Sequence, residues 1–242
     1  MTWLDDFAAY GQQNLTETTR DALSARGVSD EQMAQYQIGY LGQGLPDLPY
    51  TEDFLGWSRA GARISDAFVL PLTTATGLIQ GFQFRSVDRA RKGYLNYMPY
   101  KEEALLFGLA QALPHVWKTG AVWLVEGAFD LFPIQRHFPG VIATLTAKVP
   151  DNLVALLRRL AQAVLVGYDA DPAGQAATKQ FDRAYKSAFN IHPVSYPPVV
   201  IQGTTRCIKD PGELWEAWGD DQVGRFVQTV LNSTVSLEIF SA

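Results

Sequence analysis

The pattern of apolar and polar positions changes character near residue 115. Ahead of that point apolar residues come in short, irregular groups. "LTETTRDALSARG" has helical spacing and stops at Gly27, and "SDEQMAQYQIGYL" opens with Ser29 and Gln32 at capping-box spacing. These segments predict two helices within 15–40, followed by a loop through "YLGQGLPDLPYTED". Between 63 and 100 the period shortens. "ARISDAFVLPL", "GLIQGFQFRSV" and "KGYLNYM" predict three strands separated by turn residues such as Thr76 and Gly77, and "EEALLFGLAQAL" predicts a helix.

After Pro114 unbroken apolar runs alternate with longer amphipathic ones. "AVWLVEG", "GVIATLT" and "AVLVGYD" predict strands. Between and after them, "AFDLFPIQRHF" (perturbed by Pro133), "PDNLVALLRRLAQ" and "DPAGQAATKQFDRAYKSAF" predict helices. "HPVSYPPVV" is a candidate fourth strand, and "DPGELWEAWG" and "DQVGRFVQTVL" close the chain as helices. Strands apolar at nearly every position are buried on both faces, so this alternation predicts a parallel sheet flanked by helices. The expected division is an α+β segment over 1–114 and an α/β segment over 115–242.

In open parallel sheets, sites form outside the carboxyl ends of the strands. Glu126 ends one strand here, with Asp130 one helical turn further on. Asp169 and Asp171 end another. Asp210 stands before Pro211 at a helix start, with Glu213 three residues later. Each acid alone fits a helix cap equally well. Paired carboxylates, however, repel, and partial burial makes ionising them harder. Three such clusters in one alternating segment therefore point to compensation by a hard divalent cation, Mg²⁺ or Mn²⁺. Two such ions can clamp an in-line phosphoryl displacement.

Composition narrows the classes. The 242 residues are 47% hydrophobic and 19% charged, and no apolar run approaches the roughly 20 residues of a membrane span. "MTWLDDFAAY" carries acids where a secretory signal carries bases, so a cytoplasmic protein without a membrane partner is expected. A single cysteine, Cys207, and three scattered histidines leave no zinc site within the chain. The net charge of −5 gives no global cationic field, but Arg85, Arg89, Arg91, Lys92 and Lys101 face a single acid, Asp88, among aromatics. That mixture suits either a solvated basic face or a grip on a phosphate backbone with stacking of bases.

"VEGAFD", "YDADPAG" and "KDPGEL", in this order, resemble the acidic motifs of the TOPRIM domain, which DnaG-type primases, topoisomerases and several nucleases share. The preceding "RISDAFVLPLTTATGLIQGFQFR" and "YLNYMPYKEEALLFGL" resemble the N-terminal subdomain of the DnaG-type primase catalytic core. That family has a glycine-Phe-x-x-Arg turn, a "KYLN"-like stretch and a "LYGL"-like helix there, and the resemblance covers roughly residues 15–220. It implies a TOPRIM Rossmann-like parallel sheet flanked by helices, preceded by a smaller α+β subdomain. It also implies a nucleotidyltransferase that makes short primers on single-stranded DNA from nucleoside triphosphates. Glu126 would act in catalysis with Asp130 and Asp169, helping to deprotonate the attacking 3′-hydroxyl or to position a metal. Asp130, Asp169, Asp171 and Asp210, together with Glu126, would hold two or more Mg²⁺ or Mn²⁺ ions. Arg85, Arg89, Arg91, Lys92, Asn96 and Lys101 would line the template or nucleotide path.

The chain departs from the family pattern in places. Gly93 replaces the lysine of "KYLN", Lys101 is one residue out of register, and Thr146 replaces a glycine after the second strand. Gly212 stands where a second acid often follows Asp210, with Glu213 as its possible stand-in. The family's zinc ribbon and helicase-binding domain do not fit within this chain. A replicative helicase or a separate zinc-binding, template-recognition protein is therefore the expected partner. The "MTWLDD" start suggests a compact phage- or plasmid-type primase, with a truncated core as the alternative. A TOPRIM nuclease would use the same acids without needing the β-rich segment, and a nucleic-acid-binding module that has lost turnover is the non-enzymatic rival.

Overall fold

The computed structural model describes residues 2–59, 64–91, 93–99, 106–146, 149, 151–201 and 204–234. It divides into two compact units, one running to Phe107 and the other starting at Gly108.

The first unit contains α1 (Trp3–Gln13), α2 (Glu17–Ser24), α3 (Asp30–Gln35), β1 (Gly39–Leu41), α4 (Glu52–Arg59), β2 (Ala67–Thr73), β3 (Ile79–Ser86) and β4 (Tyr94–Tyr97). The strands form an antiparallel sheet in the order β1-β2-β3-β4. The capping box at Ser29 is formed: Ser29 Oγ accepts the Gln32 N–H at 3.2 Å, and Gln32 Oε1 accepts the Ser29 N–H at 3.0 Å. The helix then stops at Gln35, where the sequence pattern predicts it to continue. Gln37 turns the chain with φ 51°, and Gly39–Leu41 pairs with Val69–Ala67 instead. Pairing with a distant strand overrides local propensity there. Pro71 sits within β2 beyond the stretch that β1 covers, so its missing N–H breaks no ladder bond on that side.

Two further helices fall where the sequence pattern predicts none: α1 precedes the first predicted element, and α4 begins at the end of the predicted loop. In α1, Leu4, Phe7, Ala8 and Gly11 form a buried stripe, and Asp5 and Asp6 occupy the first turn, where the helix dipole favours negative charge. Together with Phe54 of α4, this helix closes an aromatic core over Phe82, Phe84 and Tyr97.

The second unit contains α5 (Leu109–Thr119), β5 (Ala121–Val125), α6 (Ala128–Gln135), β6 (Val141–Ala143), α7 (Asp151–Leu160), β7 (Ala163–Gly167), α8 (Pro172–Tyr185), β8 (Asn190–Pro193), β9 (Val199–Ile201), β10 (Thr204–Arg206), α9 (Pro211–Trp218) and α10 (Asp220–Thr234). Its four described sheet strands are parallel, in the order β6-β5-β7-β8, and helices flank them. β5 and β7 are buried at every position, as unbroken apolar runs require. "HPVSYPPVV" does not form one strand. Only its start joins the sheet, in β8; beyond Pro197 and Pro198 the chain folds into an antiparallel pair, β9 with β10. The helix expected over "EEALLFGLAQAL" begins at Leu109, after Gly108 at φ 83°, while residues 101–105 lie outside the described residues. Among the described residues, no helix is long and apolar enough to cross a membrane.

Candidate active site

In the second unit the carboxyl ends of β5 and β7 present the acids. Glu126 follows β5 directly and is half-buried. Its main chain is held from the strand alongside: its carbonyl accepts the Leu145 N–H at 2.9 Å, and the Val125 carbonyl accepts the Thr144 N–H at 3.0 Å. Leu145 makes this contact at φ 62°, a conformation that costs an L side chain about 1–2 kcal/mol. Asp130 lies in the first turn of α6, and its Oδ2 accepts the Gly127 N–H at 3.0 Å.

Asp169 and Asp171 follow β7. Asp171 caps α8, its Oδ1 accepting the Gly174 N–H at 2.9 Å. Gly174 is required by close approach, because a Cβ there would overlap the Asp169 carbonyl. Asp210 caps α9 in the same way, accepting the Glu213 N–H at 2.7 Å. Glu213, the possible stand-in for a second acid, has its carboxylate engaged elsewhere. Its carboxylate reaches back to the Lys209 N–H at 3.0 Å and pairs with Arg206 at 3.2 Å.

The charges interact across these elements. Asp130 holds its proton well above the usual carboxylate range, chiefly through burial and then through the charges of Asp210 and Asp169. Asp210 is pushed up to about 6 by burial, with Asp169 adding to the effect. Glu126 is raised as well, by burial and by Asp169 and Asp171. Tyr196 is buried beside this group. Its hydroxyl donates to the Gly167 carbonyl at 2.6 Å, and burial and the neighbouring carboxylates push its phenol up.

The cation that answers this negative charge is Lys209. Its Nζ lies 2.8 Å from Asp169 Oδ2 and 3.8 Å from Asp171 Oδ2, and these carboxylates hold its ammonium above its ordinary value. The sequence reading missed Lys209, although its place directly before Asp210 was a usable signal. Among the described residues, no three acid, histidine or cysteine side chains stand close enough together to hold a metal ion in their present positions. The acids instead form two subsets: Asp169 with Asp171 on Lys209, and Asp130 with Asp210 on either side of Gly212. Oxygen-only donors, carboxyl groups destabilised by their own repulsion and a lysine already drawn in as counter-charge all fit a hard divalent cation. Binding one requires side-chain rearrangement.

In the first unit the cross-strand pairs Arg85 with Tyr94 and Gln83 with Asn96 place these four residues on one face of the sheet, opposite Phe82 and Phe84. The Arg85 guanidinium lies 4.4 Å from the centre of the Tyr94 ring and donates to the Gly93 carbonyl at 3.0 Å. Asn96 Oδ1 accepts from Gln83 Nε2 at 3.0 Å. Arg89 and Arg91 are exposed in the turn between β3 and β4, with Arg91 Nε 3.8 Å from Asp88. Lys92 and Lys101 lie outside the described residues.

Residues 123–203 match the Toprim-like family. The DNA primase of Deinococcus radiodurans is 29% identical over 235 residues, covering 88% of this chain and 39% of the relative. The chain thus spans about two-fifths of the length of that curated relative. The E. coli primase catalytic core superposes with a TM-score of 0.70 at 21% identity, covering 98% of this chain and 85% of that one. A DnaG primase catalytic domain bound to single-stranded DNA superposes with a TM-score of 0.69 at 20% identity, covering 98% and 83%. The second unit carries a Toprim-like domain, and the chain has the fold of the DnaG primase catalytic core.

Proposed function

We propose that the chain is the catalytic core of a metal-dependent primase, a nucleotidyltransferase that joins nucleoside triphosphates into short primers on single-stranded DNA. One observation carries this reading: around the carboxyl ends of β5 and β7, burial and the charge of Asp169 raise the proton affinities of Glu126, Asp130 and Asp210, in a chain whose curated relatives are DNA primases. Asp130, Asp169, Asp171 and Asp210, with Glu126, are the residues that would hold Mg²⁺ or Mn²⁺, which when bound supplies the charge that neutralises the incoming triphosphate. Glu126, half-buried and with raised proton affinity, suits the acceptor of the 3′-hydroxyl proton. Arg85, presented with Tyr94 and Asn96 on one face, supplies charge and a stacking surface for the template. Arg89 and Arg91 add exposed positive charge, and Lys92 and Lys101 belong to the same basic segment. Template recognition and strand opening fall to partners, a replicative helicase or a zinc-binding protein, in the cytoplasm.

The test is incubation with single-stranded DNA, labelled nucleotides and Mg²⁺ or Mn²⁺. New oligomers lost in Glu126→Gln support the primase. Shortened template instead of new oligomers would establish a nuclease, and binding without either product a module that has lost turnover.

A further inference from the structure

Lys209 is held in a way that the helix caps alone do not explain. Its main chain joins two of the acidic loops: its carbonyl accepts the Ala170 N–H at 2.7 Å, and its own N–H donates to Glu213 Oε2 at 3.0 Å. From that fixed base the side chain carries its ammonium onto Asp169 and Asp171, 2.8 and 3.8 Å from their Oδ2 atoms. Asp171 Oδ1 is already committed to the α8 cap, so Lys209 faces the oxygen that remains. The side chain is 45% exposed, so it can swing into solvent without leaving a packed core.

We infer that Lys209 is an exchangeable counterion: it neutralises Asp169 and Asp171 while no metal is bound and must leave for a divalent cation to take their oxygens. The inference rests on the metal reading above. An ammonium at hydrogen-bond distance from a carboxylate occupies the space of a metal ion, and two cations on one pair of oxygens repel each other. Lys209 therefore sets the affinity threshold of the site. It keeps the acids folded together without metal, at the cost of weaker metal binding.

The experiment compares wild type, Lys209→Met and Lys209→Arg by Mn²⁺ titration, followed through the free-ion magnetic resonance signal, with thermal melting in chelator and at saturating Mn²⁺. Lys209→Met keeps most of the stem without the charge. It should bind Mn²⁺ on the order of tenfold more tightly at low ionic strength, with the gain shrinking as salt screens the charge. It should melt below wild type in chelator and recover at saturating Mn²⁺. Lys209→Arg keeps the charge and should bind Mn²⁺ about as wild type does, which also serves if the Met variant fails to fold. Equal or weaker Mn²⁺ binding by a folded Lys209→Met overturns the inference while leaving the metal reading intact. So does an Arg variant that binds markedly more tightly. No binding to any of the three proteins overturns the metal reading and the inference together.

Discussion

Asp210 offers the sharpest quantitative test of the electrostatics. Its carboxyl is raised from 3.8 to about 6, so the folded protein holds a proton there that the unfolded chain releases. A raised acid contributes nothing to the pH dependence below 3.8, destabilises progressively as pH rises towards about 6, and exacts its full penalty above that. A shift of about two units corresponds to roughly 3 kcal/mol, which screening at this half-buried site reduces to about 1–3 kcal/mol. Asp210→Asn removes the charge and leaves an amide oxygen able to accept the Glu213 N–H that caps α9, now at 2.7 Å. In chelator at pH 7.5 the variant should therefore be the more stable protein, and its second unit should melt about 5–10 °C higher. The assay is scanning calorimetry of both proteins from pH 4 to pH 8. The two melting curves should converge near pH 4 and separate as pH rises through about 6. Saturating Mn²⁺ should reverse the order, because only wild type keeps the full set of donors. A variant that is less stable at pH 7.5, or that differs from wild type by the same amount at both pH extremes, would refute the account of Asp210 as a repelled, partly buried acid.

The other expectations concern neighbouring groups. Asp169→Asn with Asp171→Asn should abolish the rise in melting temperature that Mn²⁺ gives wild type, since both carboxylate charges facing Lys209 are lost; a preserved metal response would move the ion elsewhere. Arg85→Ala should lower the salt slope of single-stranded DNA binding by about one unit, whereas Glu126→Gln should leave that binding intact and remove synthesis, as filter binding and primer assays would show. Chelation should likewise spare template binding but not nucleotide binding. A Cβ at position 212 would lie 3.3 Å from Asp210 Oδ1 and 3.5 Å from Asp130 Oδ1. Gly212→Asp should thus tighten Mn²⁺ binding by about tenfold through an added carboxylate and lower the melting temperature in chelator, and unchanged Mn²⁺ affinity would count against the donor assignment.

The sequence by itself determined the parallel sheet and the acids at its strand ends. Both follow from local rules: β5 and β7 are apolar at every position because both faces are covered, and acids at strand-to-helix turns satisfy the exposed N–H groups of α8 and α9. The same rules give the capping box at Ser29. They do not say what a short apolar run pairs with. Gly39–Leu41 became a strand because Ala67–Val69 was available to it, and Val199–Ile201 left the main sheet to pair with Thr204–Arg206. The sign and strength of the site's electrostatics were likewise set by contacts between segments far apart in sequence. Asp130 and Asp210 are 80 residues apart along the chain, yet Asp210 raises the proton affinity of Asp130 because the fold brings both close to Gly212. Lys209 becomes part of the site only because the loop after β7 rests against it. Periodicity records which face of an element is buried, but a charge feels every neighbour within several ångströms, and those neighbours exist only once the chain has folded.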